Sequence, residues 1–94
     1  MRKFVFAFLL LSSAAQAQTA PVHTLEADEA RQGVASDGTY AYAIDNSRIG
    51  KYELKTGKRI AGWEGPRELF PHMNACTLVD RRLLCAASNF PKVP

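Results

Sequence analysis

The chain has 94 residues, of which 47% are hydrophobic and 22% are charged, with a formal net charge of +3. This length allows one small domain and excludes a multidomain enzyme or a complete large β-barrel. The apolar fraction also excludes a disordered acidic or basic tail.

The N-terminus has the three regions of a secretory signal peptide. Met1-Arg2-Lys3 is positively charged, Phe4–Leu11 is an uninterrupted apolar run, and small residues lead to Ala-Gln-Ala at 15–17. The apolar run is too short for a membrane span, which needs about 20 residues. We therefore predict a signal peptide over 1–17, cleaved after Ala17, and a periplasmic or secreted product that leaves the membrane. A retained anchor or a core helix is the alternative.

The basic character of the chain belongs largely to this signal. Cleavage removes Arg2 and Lys3, so the mature chain of 77 residues has a net charge of +1. The densest remaining basic group, at 51–59, is interrupted by Glu53 and by turn residues. A nucleic-acid partner requires a clustered cationic face, so we predict none and interpret this group as a solvated strand and turn.

After an N-terminal segment over 18–31, the sequence predicts short strands in place of long helices. Turn signals at Asp37-Gly38, 45–47 and 55–58 divide the next residues into four strands. These strands form one antiparallel meander within 32–65 and cover 33–36, 39–44, 48–54 and 59–63. Because large and small side chains alternate along 39–44, we predict that its small face packs against a neighbouring sheet.

A second hairpin is predicted within 72–94, with strands at 74–79 and 82–87 around Asp80-Arg81. A shift of 43 residues superimposes three identical pairs, Asp37 on Asp80, Ala43 on Ala86 and Asn46 on Asn89. A four-stranded unit that repeats every roughly 40 to 45 residues is typical of a β-propeller. We therefore predict an all-β fold, namely one antiparallel four-stranded propeller blade and the first hairpin of a second blade. A small β meander with an unrelated second hairpin is the alternative.

The predicted blades raise a problem of closure. Propellers close with roughly four to eight blades, whereas 77 residues hold only one blade and part of the next. Each blade buries its faces against its neighbours, so an isolated unit leaves apolar sheet surface in water. We therefore expect the chain to be a fragment whose fold needs missing blades or oligomerisation to close. A small secreted β protein that assembles as a homo-oligomer is a further alternative.

The two cysteines fall within the second hairpin. If Asp80 and Arg81 form a two-residue turn, then Leu78 faces Leu83 and Cys76 faces Cys85. The cysteines then form a non-hydrogen-bonded pair, in which side chains come closest, and an exported compartment permits their oxidation. We predict a Cys76–Cys85 disulfide, with two reduced cysteines as the alternative. Two cysteines without partners do not complete a tetrahedral metal site.

Four polar residues are candidates for ligand binding. In propellers the innermost strand of each blade lines a central channel, and the residues before that strand are well placed to contact a ligand. Arg31 and Gln32 lead into the first predicted blade, and His72 and Asn74 lead into the second. The alternative is that these side chains cap strand ends or face water.

The remaining chemistry-bearing residues suggest no independent site. His23 lies near the mature N-terminus, in a segment that we predict to be mobile, and Trp63 is predicted to be a core residue. The sequence contains no Ser/His/Asp order, glycine-rich phosphate loop or zinc-ligand spacing. We predict no cofactor for this chain, although a longer parent could hold a divalent metal in its channel.

Several short motifs resemble the opening of secreted bacterial β-propeller proteins of the NHL-like and lactonase-like kind, some of which carry a cycloisomerase label. The motifs are Gln32-Gly33, Ala43-Ile44-Asp45-Asn46, Ile49-x-Lys51-Tyr52, Thr56-Gly57-Lys58 and Ser88-Asn89-Phe90-Pro91. The resemblance covers about 60 residues and implies a propeller fold. The sequence departs from the family at Arg81, where glycine would suit the turn, and it lacks the later blades.

Two functions compete at this point. The first is an exported propeller-type protein that binds a small molecule or a protein partner and has no catalytic activity of its own. The second, implied by the resemblance, is the N-terminal part of a lactonase-like or cycloisomerase-like enzyme in which His72 and Arg31 contribute to the site. Fold analogy alone does not choose between them, because propellers host both kinds of function.

Overall fold

The computed structural model describes residues 2–3, 19–21 and 23–92, which contain six β-strands in two antiparallel sheets. The strands are β1 (Gly33–Ser36), β2 (Tyr40–Asp45), β3 (Arg48–Glu53), β4 (Arg59–Glu64), β5 (His72–Val79) and β6 (Arg82–Ser88). Within these ranges no helix is long and apolar enough to cross a membrane. The predicted signal peptide lies outside the described residues, apart from Arg2 and Lys3.

The first sheet has the strand order β1-β2-β3-β4, which confirms the predicted four-stranded meander. The β1–β2 turn differs in register, because Ser36 pairs with Ala41 and the central residues are therefore Gly38 and Thr39. The carboxylate of Asp37 accepts hydrogen bonds from the amides of Thr39 and Tyr40, at 2.9 and 2.7 Å. Asp37 thus caps the turn from its first position, and Gly38 takes the positive φ of 87°.

The two faces of this sheet have different covers. On one face, Ala41, Ala43 and Tyr52 form a buried cluster against Leu25 and Ala27. We call residues 25–29 the N-terminal cover. The small face of β2 therefore packs against this segment of chain, and the second sheet lies on the opposite, tyrosine-bearing face. The prediction of a small face was right, but its partner was not the neighbouring sheet.

The second sheet is a two-stranded hairpin, β5–β6, with the predicted register. Val79 pairs with Arg82, Leu78 with Leu83 and Cys76 with Cys85. The disulfide between the two cysteines is present, with a Cα–Cα distance of 4.0 Å. Asp80 and Arg81 both have positive φ, 47° and 63°, which identifies the two-residue turn.

The hairpin meets the first sheet along β5, which lies against β1 and β2. Gly33 permits the close approach, because a Cβ there would lie 3.0 Å from the backbone oxygen of Asn74. The amide of Met73 donates to the backbone oxygen of Asn46 at 2.8 Å. Toward β3 and β4 the sheets separate, so Trp63 remains 44% exposed and packs edge-on against Phe70 instead of lying in a core.

Candidate functional site

The four candidate residues lie at one end of the two sheets, which we call the leading end because β1 and β5 begin there. The amides of Arg31 and Gln32 donate to the backbone oxygen of Ile44, where β2 is about to end. The side chains of Arg31, Gln32 and Asn74 are exposed, and His72 is half-buried. The structure therefore places the four candidates at the same end of the two sheets.

Asn46 holds His72 in position across the two sheets. The two side chains form a hydrogen bond of 2.7 Å between Nδ1 of His72 and Oδ1 of Asn46. Because an amide oxygen can only accept, Nδ1 carries a proton, and in the neutral form of the ring Nε2 keeps its lone pair. The ring also packs against Phe90, with centroids 5.1 Å apart. Asn46 was predicted as a turn residue and a repeat position but not as a site residue, since this contact depends on how the sheets pack.

The β2–β3 turn that carries Asn46 is fixed by its neighbours. Arg48 donates to Oδ2 of the buried Asp45 at 2.7 Å, and this hydrogen bond raises the pKa of the Arg48 guanidinium. The backbone oxygen of Ser47, a buried residue, accepts the amide of Gly65 at 2.9 Å. Oδ1 of Asp45 is buried and has no hydrogen-bond partner among the described residues. The turn is thus tied to β4 and to the hairpin, which orients the Asn46 amide.

A second polar cluster lies under the N-terminal cover and was not predicted. Glu29 is only 3% exposed. Its Oε2 accepts the hydroxyl of Tyr52 at 2.5 Å, and its Oε1 accepts Nε and Nη2 of Arg59 at 2.9 and 2.8 Å. We call these three residues the clasp, because they join the cover to β3 and β4. Glu29 falls within the predicted N-terminal segment over 18–31, close to the start of the first predicted blade, and was not among the four candidates.

Two glycines make room for the clasp. Gly50 in β3 pairs directly with Gly62 in β4. A Cβ at Gly50 would collide with the carboxylate of Glu29, and a Cβ at Gly62 would collide with the guanidinium of Arg59. A β-bulge beside this pair shifts the register so that Tyr52 faces Arg59. Two facing glycines in adjacent predicted strands were the one sequence signal that could have revealed this contact.

The clasp is an ionised pair. Burial raises the pKa of Glu29, but hydrogen bonds from Tyr52 and Arg59 outweigh that effect, and the net pKa lies below its ordinary value. Burial and the neighbouring Glu29 raise the pKa of the Tyr52 hydroxyl, which therefore remains protonated and donates. All polar atoms of this carboxylate are engaged, so the clasp stabilises the cover and is not a reactive group.

Within the described residues, no group of three or more His, Cys, Asp and Glu side chains could hold a metal ion. The leading end instead offers one positioned imidazole and several exposed polar side chains. Comparison of the chain with protein families, curated proteins and solved structures finds no match.

Proposed function

We propose that this chain forms the first blade and the opening hairpin of a second blade in an exported propeller-type protein. That protein binds a small molecule or a protein partner at the leading end, and the chain has no catalytic activity of its own.

The packing of the two sheets supports the propeller part of this proposal. The hairpin approaches the first sheet at β1 and β2, and the sheets separate toward β3 and β4. Blades arranged around a central axis have this relation, since their first strands lie closest to the axis. The Cys76–Cys85 disulfide is compatible with export into an oxidising compartment.

The Asn46–His72 hydrogen bond is the observation that carries the binding function. It ties the β2–β3 turn of one sheet to the first residue of the next sheet, so the imidazole is held where Arg31 and Asn74 are exposed. Groups that can donate and accept hydrogen bonds thus lie at the same end of the two sheets. Such a set is suited to a polar or anionic ligand.

Removal of the Asn46 side chain tests this function. The purified chain and its Asn46→Ala variant are dialysed against a pool of small metabolites, and retained compounds are identified by mass spectrometry. Thr77→Ala, which changes an exposed hairpin residue, is the matched control. We expect compounds retained by the original and control chains to be lost from Asn46→Ala. Equal retention by all three chains would contradict a site at the leading end, and no retention at all would contradict a small-molecule ligand and leave a protein partner as the proposal.

A second candidate function is favoured by the tautomer of His72. With Nδ1 donating to Asn46, Nε2 can accept a proton, which is the arrangement of a general base. A lactonase-like or cycloisomerase-like enzyme would use that nitrogen on a lactone or an unsaturated acid. Turnover of such a substrate that is abolished by His72→Gln in a folded protein would establish this function over binding alone. Absence of turnover with retained ligand would leave binding as the function.

A further inference from the structure

A second cleft lies at the other end of the sheets, between the β1–β2 turn and the β5–β6 turn. It has a volume of about 350 Å³, and its lining residues are Asp37, Tyr40, Tyr42, Lys51, Leu78, Asp80 and Arg81. We call it the trailing cleft. It is separated from the leading end by the length of the strands, so ligand binding here is independent of the function proposed above.

Lys51 supplies the first positive charge of the trailing cleft. It faces Tyr42 across β2 and β3, and its Nζ lies 4.0 Å from the centroid of the Tyr40 ring and 5.7 Å from that of Tyr42. Contact with an aromatic face holds an ammonium in place and removes part of its hydration. In the part of the chain that the structure describes, Lys51 forms no salt bridge, so its charge is available to an anion.

Two carboxylates line this cleft, Asp37 and Asp80, and Asp37 is engaged by its own turn. Oδ1 of Asp37 accepts the amides of Thr39 and Tyr40, and Oδ2 accepts the Tyr42 hydroxyl at 3.3 Å. These hydrogen bonds, chiefly those from the two amides, hold the pKa of Asp37 below its ordinary value. Asp37 therefore orients the aromatic wall, and among the described residues neither it nor the exposed Asp80 forms a salt bridge with Lys51.

Arg81 supplies the second positive charge. Its backbone conformation is unfavourable for a residue other than glycine. Its φ of 63° lies in the left-handed region, where glycine is preferred in a two-residue hairpin turn. The turn alone therefore does not explain an arginine here, whereas Arg81 lines the trailing cleft. An arginine offers paired N–H donors that match the two oxygens of a carboxylate.

From these contacts we propose that the trailing cleft binds a small organic carboxylate with a flat apolar body. Arg81 and Lys51 receive the carboxylate, and the Tyr42 ring and Leu78 contact the apolar part. The volume of the cleft is at the small end for ligand pockets, so it fits a compound of about one ring.

Benzoate is the probe, and benzamide is its uncharged counterpart of the same shape. Titration of each into the purified chain is followed by NMR shifts of the Tyr42 and Leu78 signals. We expect saturable shifts with benzoate and binding about tenfold weaker with benzamide, since each tenfold step is about 1.4 kcal/mol of lost interaction. Equal affinity for the two compounds, or shifts that do not saturate, would overturn the proposal.

Two variants separate the carboxylate site from general attraction by positive charge. Arg81→Gly relieves the backbone, so we expect a higher melting temperature together with about tenfold weaker benzoate binding. Lys51→Gln should weaken benzoate in the same way. The control, Lys55→Gln, removes one exposed charge from the neighbouring β3–β4 turn and should leave affinity within about twofold. If Arg81→Gly binds benzoate as the original chain does, or if Lys55→Gln weakens it equally, the site is disproved.

Discussion

The four-stranded sheet and the hairpin are held together in different ways. The sheet buries the cluster of Ala41, Ala43 and Tyr52 beneath its N-terminal cover and packs β1 and β2 against the hairpin on the other face. The hairpin buries only Met73, while Leu84 on its outer face is 55% exposed. The two strands of the hairpin are joined by a disulfide, whereas the four-stranded sheet is stabilised by a buried core.

This difference follows from the number of strands and the faces that they cover. An isolated two-stranded hairpin is at best marginally stable in water, so it needs either a covalent link or a neighbour. The hairpin of this chain has both, whereas the sheet has a neighbour on each face. Val79 and Leu84 remain exposed on the outer side of the hairpin. In the proposed propeller this is the face on which the following blade packs.

The largest expected effect on the free energy of unfolding is at the boundary between the four-stranded sheet and the hairpin. Ile44 in β2 is 0% exposed and is the largest fully buried side chain among the described residues. Ile44→Ala should lower the free energy of unfolding by about 3 kcal/mol, because it removes apolar contacts and leaves a cavity. Ile60→Ala in β4, where the residue is 45% exposed, is the matched control and should cost less than about 1 kcal/mol. Chemical denaturation measures both, and similar losses would contradict the assigned core.

The next largest loss of stability is expected on removal of the disulfide, and its structural effect should be confined to the hairpin. Removal of the disulfide by the double change Cys76→Ser and Cys85→Ser should cost about 2 to 3 kcal/mol, because the unfolded chain regains the freedom of a short loop. Hydrogen exchange should show lost protection in β5 and β6 while β2 and β3 remain protected. If protection is lost equally in all strands, the two regions unfold as one unit and the contrast between them is wrong.

A change in the clasp tests how firmly the N-terminal cover is held on the four-stranded sheet. Glu29→Gln keeps the shape of the side chain and removes its charge, and it should cost about 2 kcal/mol. The value is below that for a fully buried ion pair, because the Arg59 side chain is 50% exposed. Glu26→Gln changes an exposed carboxylate of the same segment and should have almost no effect. A loss at Glu26 equal to that at Glu29 would show that net charge, not the clasp, is responsible.

The clasp also predicts a pH dependence with a definite sign. Because the folded-state pKa of Glu29 is below its ordinary value of 4.5, its stabilising contribution is complete above that pH. The contribution is lost as the pH falls through the folded-state pKa, where the carboxylate takes up a proton. The stability difference between the original chain and Glu29→Gln should therefore shrink on acidification. Thermal melts from pH 7 to pH 3 measure it, and a constant difference would argue against an ionised clasp.

Local patterns predicted the strand order and the disulfide. Alternating side chains and turn residues act over a few positions, so the β5–β6 turn was enough to place Cys76 opposite Cys85. The β1–β2 turn differs by one residue from the prediction, with Gly38 and Thr39 at its centre. The reason is that the Asp37 side chain accepts the amides of Thr39 and Tyr40, so Asp37 takes the first position of the turn.

The contacts that were missed depend on distant parts of the chain. The clasp joins Glu29 to Arg59, 30 residues away, through a space that exists only when Gly50 and Gly62 face each other. The Asn46–His72 bond depends on the packing of one sheet on another. Periodicity along one strand contains no information about either arrangement. The sequence could therefore place His72 at the start of the second hairpin, but it could not show that Asn46 binds it.

The smallest expected effect is a gain in stability at the hairpin turn. Arg81→Gly should raise the free energy of unfolding by about 1 kcal/mol, because glycine adopts a φ of 63° without a Cβ clash. The neighbouring Arg82→Gly is a control of the same composition, yet it should destabilise by about 0.5 to 1 kcal/mol, since Arg82 is a regular residue of β6. Paired denaturation curves measure the opposite signs. Two changes of the same sign would show that the loss of charge, and not the backbone conformation of the turn, determines hairpin stability.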